Sequence, residues 1–255
     1  MTESDAGRPE SPSAPRFFVE DPGDARELVL PREESRHALR VLRLGPGDPV
    51  LLFDGTNREL HGRVDRVEDR RAVVAIEETR VVDREAGASV TLAVAVPKGR
   101  RMEDLVRAVT EIGATAVVPL FTERSVVRPR ADRRGRLDRL ERVVLEAAKQ
   151  CGRNRLTRIA EPTSFEDHLA LLSEHDLGLL ATTAGGATPL TETITPSLRR
   201  GKILLTIGPE GGFSAGEIAR AQEIGFRAVT LGRSRMRVGT AAVAGLAMVL
   251  ALCER

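Results

Sequence analysis

The stretch from Ile203 to Ile218 constrains this chain more than any other. Ile203-Leu204-Leu205-Thr206-Ile207 is a short, β-branched apolar run, the pattern of a strand buried on both faces. It breaks at once into Gly208-Pro209-Glu210-Gly211-Gly212, whose glycines allow backbone conformations closed to other residues and leave amides uncovered by side chains. In Phe213-Ser214-Ala215-Gly216-Glu217-Ile218, Ser214 and Glu217 have capping-box spacing and Phe213 and Ile218 hydrophobic-staple spacing. A helix is therefore expected from Ser214. Strand, glycine loop and helix N-terminus are how α/β proteins present a ligand site at the carboxyl ends of their strands. One such loop is equally well a plain tight turn.

Two further loops bear on that choice. Ala228 to Leu231 reads as another strand, and residues 232–240 carry it into an Ala-rich apolar helix from Ala241 to Leu252. Leu177 to Ala181 is a strand followed by the small-residue loop Thr182 to Gly186. Upstream, strand candidates at Val90 to Val96 and Ala116 to Leu120 flank a helix that ends near Ile112-Gly113, Gly113 being a good C-cap. The β-α-β order predicts a parallel sheet with helices outside it. No P-loop and no strand-linked G-x-G-x-x-G occurs, so a nucleotide-like ligand would be held in another way.

Residues 1–15 are polar and rich in Pro and Ser, the composition of a disordered tail. From Arg16 to about residue 86 short strands alternate with turns, around one helix at Glu33 to Leu42 that carries Arg36, His37, Arg40 and Arg43. From spacing alone an ordinary solvated basic face is the favoured reading. The polar hinge Asp83 to Ala88 separates it from a second domain, 87–255. The densest charge runs from Arg124 to Arg142. From Leu137 on it reads as an ordinary charged helix, Leu137 to Gln150, while before Leu137 only Glu123 and Asp132 oppose the cations, among them Arg124, Arg128, Arg130 and Arg133, a footprint suited to phosphate.

With 255 residues the chain can bury a proper core, and its formal net charge of +2 hides 39 cations, almost all arginine. Seven Phe and no Trp or Tyr leave little for base stacking, so any nucleic-acid contact must rest on charge and hydrogen bonds. Cys151 and Cys253 have no metal spacing and read as free thiols of a reducing compartment. No run has the length of a membrane span and no signal-peptide core is seen, so a cytoplasmic protein without membrane or metal is expected.

Several of these segments together resemble one family. They are Ile207 to Ser214 with Glu217, Leu231-Gly232, Met236-Arg237-x-x-Thr240-Ala241, Arg16-Phe17-Phe18-Val19, His37 to Arg43 with Gly47-Asp48, and Glu146 to Asn154. This set, covering about residues 16–253, is similar to the ribosomal RNA small-subunit methyltransferase E family of the SPOUT superfamily. Gly239 stands where that family usually has an acid, and Lys149 where Glu is common.

The resemblance implies a PUA-like β-barrel at 16–86 that docks RNA through Arg36, Arg40 and Arg43. It implies a SPOUT methyltransferase domain at 87–255, an α/β parallel sheet with a deep trefoil knot. It implies a homodimer, a small-subunit ribosomal RNA or assembled small subunit as partner, and S-adenosyl-L-methionine as cofactor. Leu180, Thr182, Ile207, Gly208, Pro209, Glu210, Gly211, Gly212, Leu231, Gly232, Met236, Arg237, Thr240 and Ala241 would hold that cofactor. Arg237 and Arg153 would stabilise charge on a uridine losing its N3 proton, and Arg153 and Asn154 would meet the RNA. Glu210 is the loop carboxylate, equally suited to a structural place at a helix N-terminus. His37, His61, His168 and His175 belong to no catalytic spacing, so no general base is identified. Two alternatives stay open: a SPOUT methyltransferase acting on ribose or transfer RNA, and an inactive assembly factor, which Gly239 would favour.

Overall fold

The computed structural model describes residues 14–97, 101–126 and 134–254. The chain divides between Asp83 and Arg84 into two units.

The first unit is a five-stranded sheet of β1 (Arg16–Phe18), β2 (Glu27–Val29), β3 (Pro49–Phe53), β4 (Arg58–Glu68) and β5 (Arg71–Val81), in the order β1-β3-β4-β5-β2. Only β1 and β3 run parallel. No ladder joins β1 to β2 among the described residues, so the strands expected to form a barrel leave two short edges. The expected single helix is α1 (Arg32–Arg36) followed by a wider π turn, His37–Val41. Arg43 then stops it in the left-handed region at φ 57°. Phe17, Leu30, Ala38, Leu52, Leu60, Val64 and Val74 form the core beneath. The β4–β5 hairpin turns on Asp69 and Arg70, both at positive φ, as its strand twist requires.

The second unit opens with β6 (Ser89–Ala95), α2 (Arg101–Ile112), β7 (Ala116–Phe121) and α3 (Arg134–Cys151). It continues through β8 (Arg158–Ile159), β9 (Thr163–Ser164), α4 (Phe165–Ala170), β10 (Leu177–Ala181), β11 (Thr188–Pro189) and α5 (Leu190–Thr193). It ends with β12 (Lys202–Ile207), α6 (Ala215–Ile224), β13 (Arg227–Thr230) and α7 (Val238–Cys253). The strands make one parallel sheet in the order β11-β13-β10-β12-β6-β7-β8, with β9 also on β7.

Alternation along β12 shows how the layers are filled. Ile203, Leu205 and Ile207 join the core formed with α2, α3 and α7, while Leu204 packs in a second core with α4 and α6. A strand buried on both faces must be apolar throughout, which is the run seen in the sequence. Helix α7 approaches closely at Gly245, where an added Cβ would lie 3.2 Å from Leu205 and Leu231 side chains. The chain leaves β6 in one direction to β7 and reaches β12, β10 and β13 on the other side, so the order reverses at β6–β12. Open α/β sheets carry ligand crevices beside such reversals.

Candidate active site

Each loop at the carboxyl end of β10, β12 and β13 is shaped locally. After β12, the Phe213 ring folds back on Gly208, where an added Cβ would lie 2.9–3.1 Å from ring carbons. Pro209 to Gly212 is a turn closed by the Gly212 N–H donating to the Pro209 carbonyl at 2.8 Å, with Gly212 at φ 68°. Ser214 then caps α6 in the expected capping box, its Oγ accepting from the Glu217 N–H at 3.2 Å and the Glu217 carboxylate from the Ser214 N–H at 2.8 Å.

After β10, the Thr182 N–H donates to the Val229 carbonyl at 2.9 Å and the Ala184 N–H to Thr182 Oγ1 at 3.1 Å. After β13, Thr230 Oγ1 donates to the Gly232 carbonyl at 2.9 Å and accepts from the Gly232 N–H at 3.3 Å. Such hydroxyl-to-backbone bonds fix turns without secondary structure.

These three loops enclose one cavity of about 310 Å³. Ile207, Leu231, Met236 and Val238 give it apolar walls, and the Gly208–Gly212 backbone forms one side. Among the described residues, Arg124, Glu210 and Arg235 are the charged ones lining it. A few polar groups on an apolar recess at strand ends is the form of a small-molecule site. Among the described residues no group of three or more His, Cys, Asp or Glu stands together as a metal site, and no helix is long and apolar enough to cross a membrane.

The expected cofactor residues Thr182, Ile207, Gly208, Pro209, Glu210, Gly211, Gly212, Leu231, Gly232, Met236 and Ala241 all line the cavity. Leu180, Arg237 and Thr240 do not. Leu180 belongs to the opposite face of β10, in the core with α4 and α6. Arg237 is the exposed N-cap of α7. Phe213, Ile218, Ser234 and Arg235 line the cavity without having been expected among the cofactor residues. The staple spacing of Phe213 and Ile218 was the available signal, whereas for Arg235 there was none.

The RNA candidates fall into separate places. Arg36 and Arg40 are exposed on α1 and the π turn of the first unit, and Arg43 is exposed just after that turn. Arg124 is on the cavity wall, and Arg128, Arg130 and Arg133 lie outside the described residues. Arg153 and Asn154 are buried away from the cavity. The Arg153 guanidinium pairs with the Glu85 carboxylate and donates through Nη1 to the Thr110 and Ala114 carbonyls, at 2.7 and 3.2 Å, and to Thr157 Oγ1 at 3.0 Å. A buried cation needs this full set of partners, which Gly-Arg-Asn spacing could not disclose.

No histidine reaches the cavity. His168 is wholly buried, its Nε2 2.9 Å from Thr206 Oγ1, and burial pushes its pKa down to about 4. His175 lies between the Leu171 carbonyl and Thr91 Oγ1, His61 is 3.5 Å from the Glu59 carboxylate, and His37 meets the Phe17 ring edge-on.

Comparison with known proteins follows the same division. The family model of the RNA methyltransferase domain matches residues 84–250, and that of the RNA methyltransferase PUA domain matches residues 30–77. The chain is 34% identical to ribosomal RNA small subunit methyltransferase E of Synechocystis sp., over 89% of this chain and 74% of that one. To the protein of the same name from Mycobacterium tuberculosis it is 30% identical, over 94% and 92% of the two chains. The crystal structure of ribosomal RNA small subunit methyltransferase E from Neisseria gonorrhoeae, bound to S-adenosyl methionine, superimposes with a TM-score of 0.82 at 31% identity, covering 94% of this chain and 98% of that one.

Proposed function

The chain belongs to the ribosomal RNA small subunit methyltransferase E family, and from that premise we propose that it methylates N3 of a uridine in small-subunit ribosomal RNA, using S-adenosylmethionine. The observation that carries this reading is the meeting of three strand-end loops around one cavity. The fit to the cofactor rests on the same lining. Ile207, Leu231, Met236 and Val238 suit an adenine face, the glycine-loop backbone suits ribose and adenine edges, and Glu210 suits an ammonium group. When bound, this cofactor supplies a sulfonium methyl group already activated for transfer.

The protein's own part is to position the base and stabilise the charge left when the N3 proton leaves. Arg237 is our candidate for that charge. It is exposed, follows Met236 of the cavity wall, and caps α7, where helix amides also favour an anion. Glu210, the one carboxylate lining the cavity among the described residues, is the candidate proton acceptor. Arg153 and Asn154, buried as they are, act in this reading as framework for the turn after α3. Gly239 does not argue for an inactive protein. It lies in the first turn of α7, lines no part of the cavity, and an added Cβ would meet nothing within 4 Å among the described residues.

The finer architecture belongs to the same proposal. Strand β13 lies beyond β10, yet α7 returns to pack on β6, β12 and α2, a path that supports threading through a trefoil knot. Thr240, Ala247 and Ala251 leave a small-residue face exposed on α7, suited to a second copy and hence to a homodimer. The first unit docks RNA, the second transfers the methyl group, and both work in the cytoplasm, where ribosomes are assembled.

Calorimetry with S-adenosylmethionine, together with mass spectrometry of ribosomal RNA from a deletion strain, tests the reading. Cofactor heat and a missing N3 methyl group are expected. Arg237→Ala should keep the heat and lose the transfer, and full activity in that variant would refute its role.

A further inference from the structure

The carboxylate of Glu217 does more than cap its helix. One oxygen, Oε2, accepts the Ser214 N–H at 2.8 Å, the local half of the capping box. In an ordinary capping box the other oxygen faces water. Here Oε1 accepts the N–H of Glu123, 94 residues away in the turn after β7, also at 2.8 Å. The neighbouring residue bonds in the reverse direction. Arg124 Nη1 donates to the carbonyls of Gly211 at 3.0 Å and Phe213 at 3.4 Å. The two segments are thus joined from both sides, acid to amide and guanidinium to carbonyl.

The turn that supplies these partners is itself closed. The Ser125 N–H donates to the Thr122 carbonyl at 3.1 Å, and the Thr122 N–H to Ser125 Oγ at 2.9 Å. It therefore offers a fixed support and not a pliable strap. Arg124 also lines the cavity beside Gly211, and the carbonyls it holds belong to the loop that follows β12. Bonds to a charged partner are the stronger class, so this contact can decide among the conformations that a glycine-rich loop would otherwise sample.

We infer that Glu217 and Arg124 are positioning residues for methyl transfer, locking the Gly208–Ser214 loop to the Thr122–Ser125 turn so that the cofactor side of the cavity is formed before the cofactor arrives. The inference rests on the cofactor reading above and assigns Arg124 to the loop. Preorganisation of this kind acts on binding, because a loop already ordered loses less freedom when ligand binds.

The test uses the full chain, with S-adenosylmethionine and S-adenosylhomocysteine as calorimetric probes. Glu217→Gln keeps the size of the side chain but turns an NH2 group towards one of the two amides, so only one of them keeps its acceptor. Arg124→Ala removes the other half. Each should raise the cofactor Kd and KM by about tenfold, the scale of one charge-assisted bond, with a much smaller fall in kcat at saturating cofactor.

The double variant should be little worse than the poorer single one, since the two act as a unit. Ser214→Ala, which removes the local cap and leaves the bond to Glu123, should change Kd far less than Glu217→Gln. Arg124→Lys reports on the same contact should Arg124→Ala not fold, and should restore part of the affinity. Wild-type affinity in both single variants, or losses that simply add, would overturn the inference while leaving the enzyme assignment intact. No heat from the wild-type protein would overturn both.

Discussion

Glycine positions in the cavity loops are not equivalent, and side-chain packing separates them. At Gly208 a Cβ would come within 2.9 Å of the Phe213 ring, which is itself packed on Phe165 with centroids 5.6 Å apart. That ring cannot swing aside without disturbing the core under the sheet. At Gly211 a Cβ would meet, among the described residues, only Arg124, its Cβ at 3.4 Å and its Cδ at 3.6 Å, ordinary van der Waals contacts that nothing has to move to accommodate. Gly208→Ala is therefore expected to cost on the order of 1–3 kcal/mol through overpacking and to weaken cofactor binding about tenfold or more. Gly211→Ala should leave affinity within about threefold. Calorimetry on the two variants, each checked for folding by thermal melting, would sink this ranking if Gly211→Ala proved the weaker binder. The glycine loop itself was legible in the sequence. Which glycine is obligatory was not, because the answer lies in how the Phe213 side chain folds back. The second bond of Glu217 was hidden for a like reason, its partner being 94 residues distant.

Among the elements, those with a full period of apolar residues could be read directly: β6, β7, β10, β12, α2, α3, α6 and α7. Their ends moved where a cap intervened, α7 beginning at Val238 after Arg237 and not at Ala241. The short pieces β8, β9, β11, α4 and α5 could not be read, being two to six residues long and fixed by the sheet they join. Helix α4 shows what this hid. It carries His168 into the core below β12, against Phe226 and Thr206, two residues before Gly208. Burial lowers the His168 pKa from 6.5 to about 4, so between those pH values the unfolded chain binds a proton that the folded one does not. Stability is then present above pH 6.5 and lost as pH falls, by about 3 kcal/mol once pH 4 is passed. Denaturant unfolding at pH 7 and pH 4 should show that this loss largely disappears in His168→Leu. An equal loss in the variant would remove His168 as its cause.

For the molecule as a whole, a net charge of +2 predicts almost no long-range attraction for RNA, yet charge is not evenly matched. In the first unit three arginines of the long hairpin are answered locally: Arg63 by Glu77, Arg66 by Glu27, Asp65 and Glu68, Arg80 by Glu78. Surface pairs like these add little stability, but they cancel the local field. On α1, on the π turn and just after it, Arg36, Arg40 and Arg43 are exposed and have no ion pair among the described residues, with Val41 and Leu42 exposed between the last two. Phosphate binding by release of counterions needs uncancelled charge, so these three should provide it and the hairpin should not. Replacing all three by Gln should flatten the plot of log affinity against log salt by roughly two, at about 0.7 per contact on single-stranded RNA. Replacing Arg63, Arg66 and Arg80 instead should leave the slope nearly unchanged, because breaking those pairs also frees their acids. Gln is the substitution of choice at Arg43, since its φ of 57° makes a β-branched residue there a source of strain unrelated to charge. Filter binding to small-subunit ribosomal RNA across a salt series would separate the two faces, and a slope lost equally from both would move the docking surface off the helix.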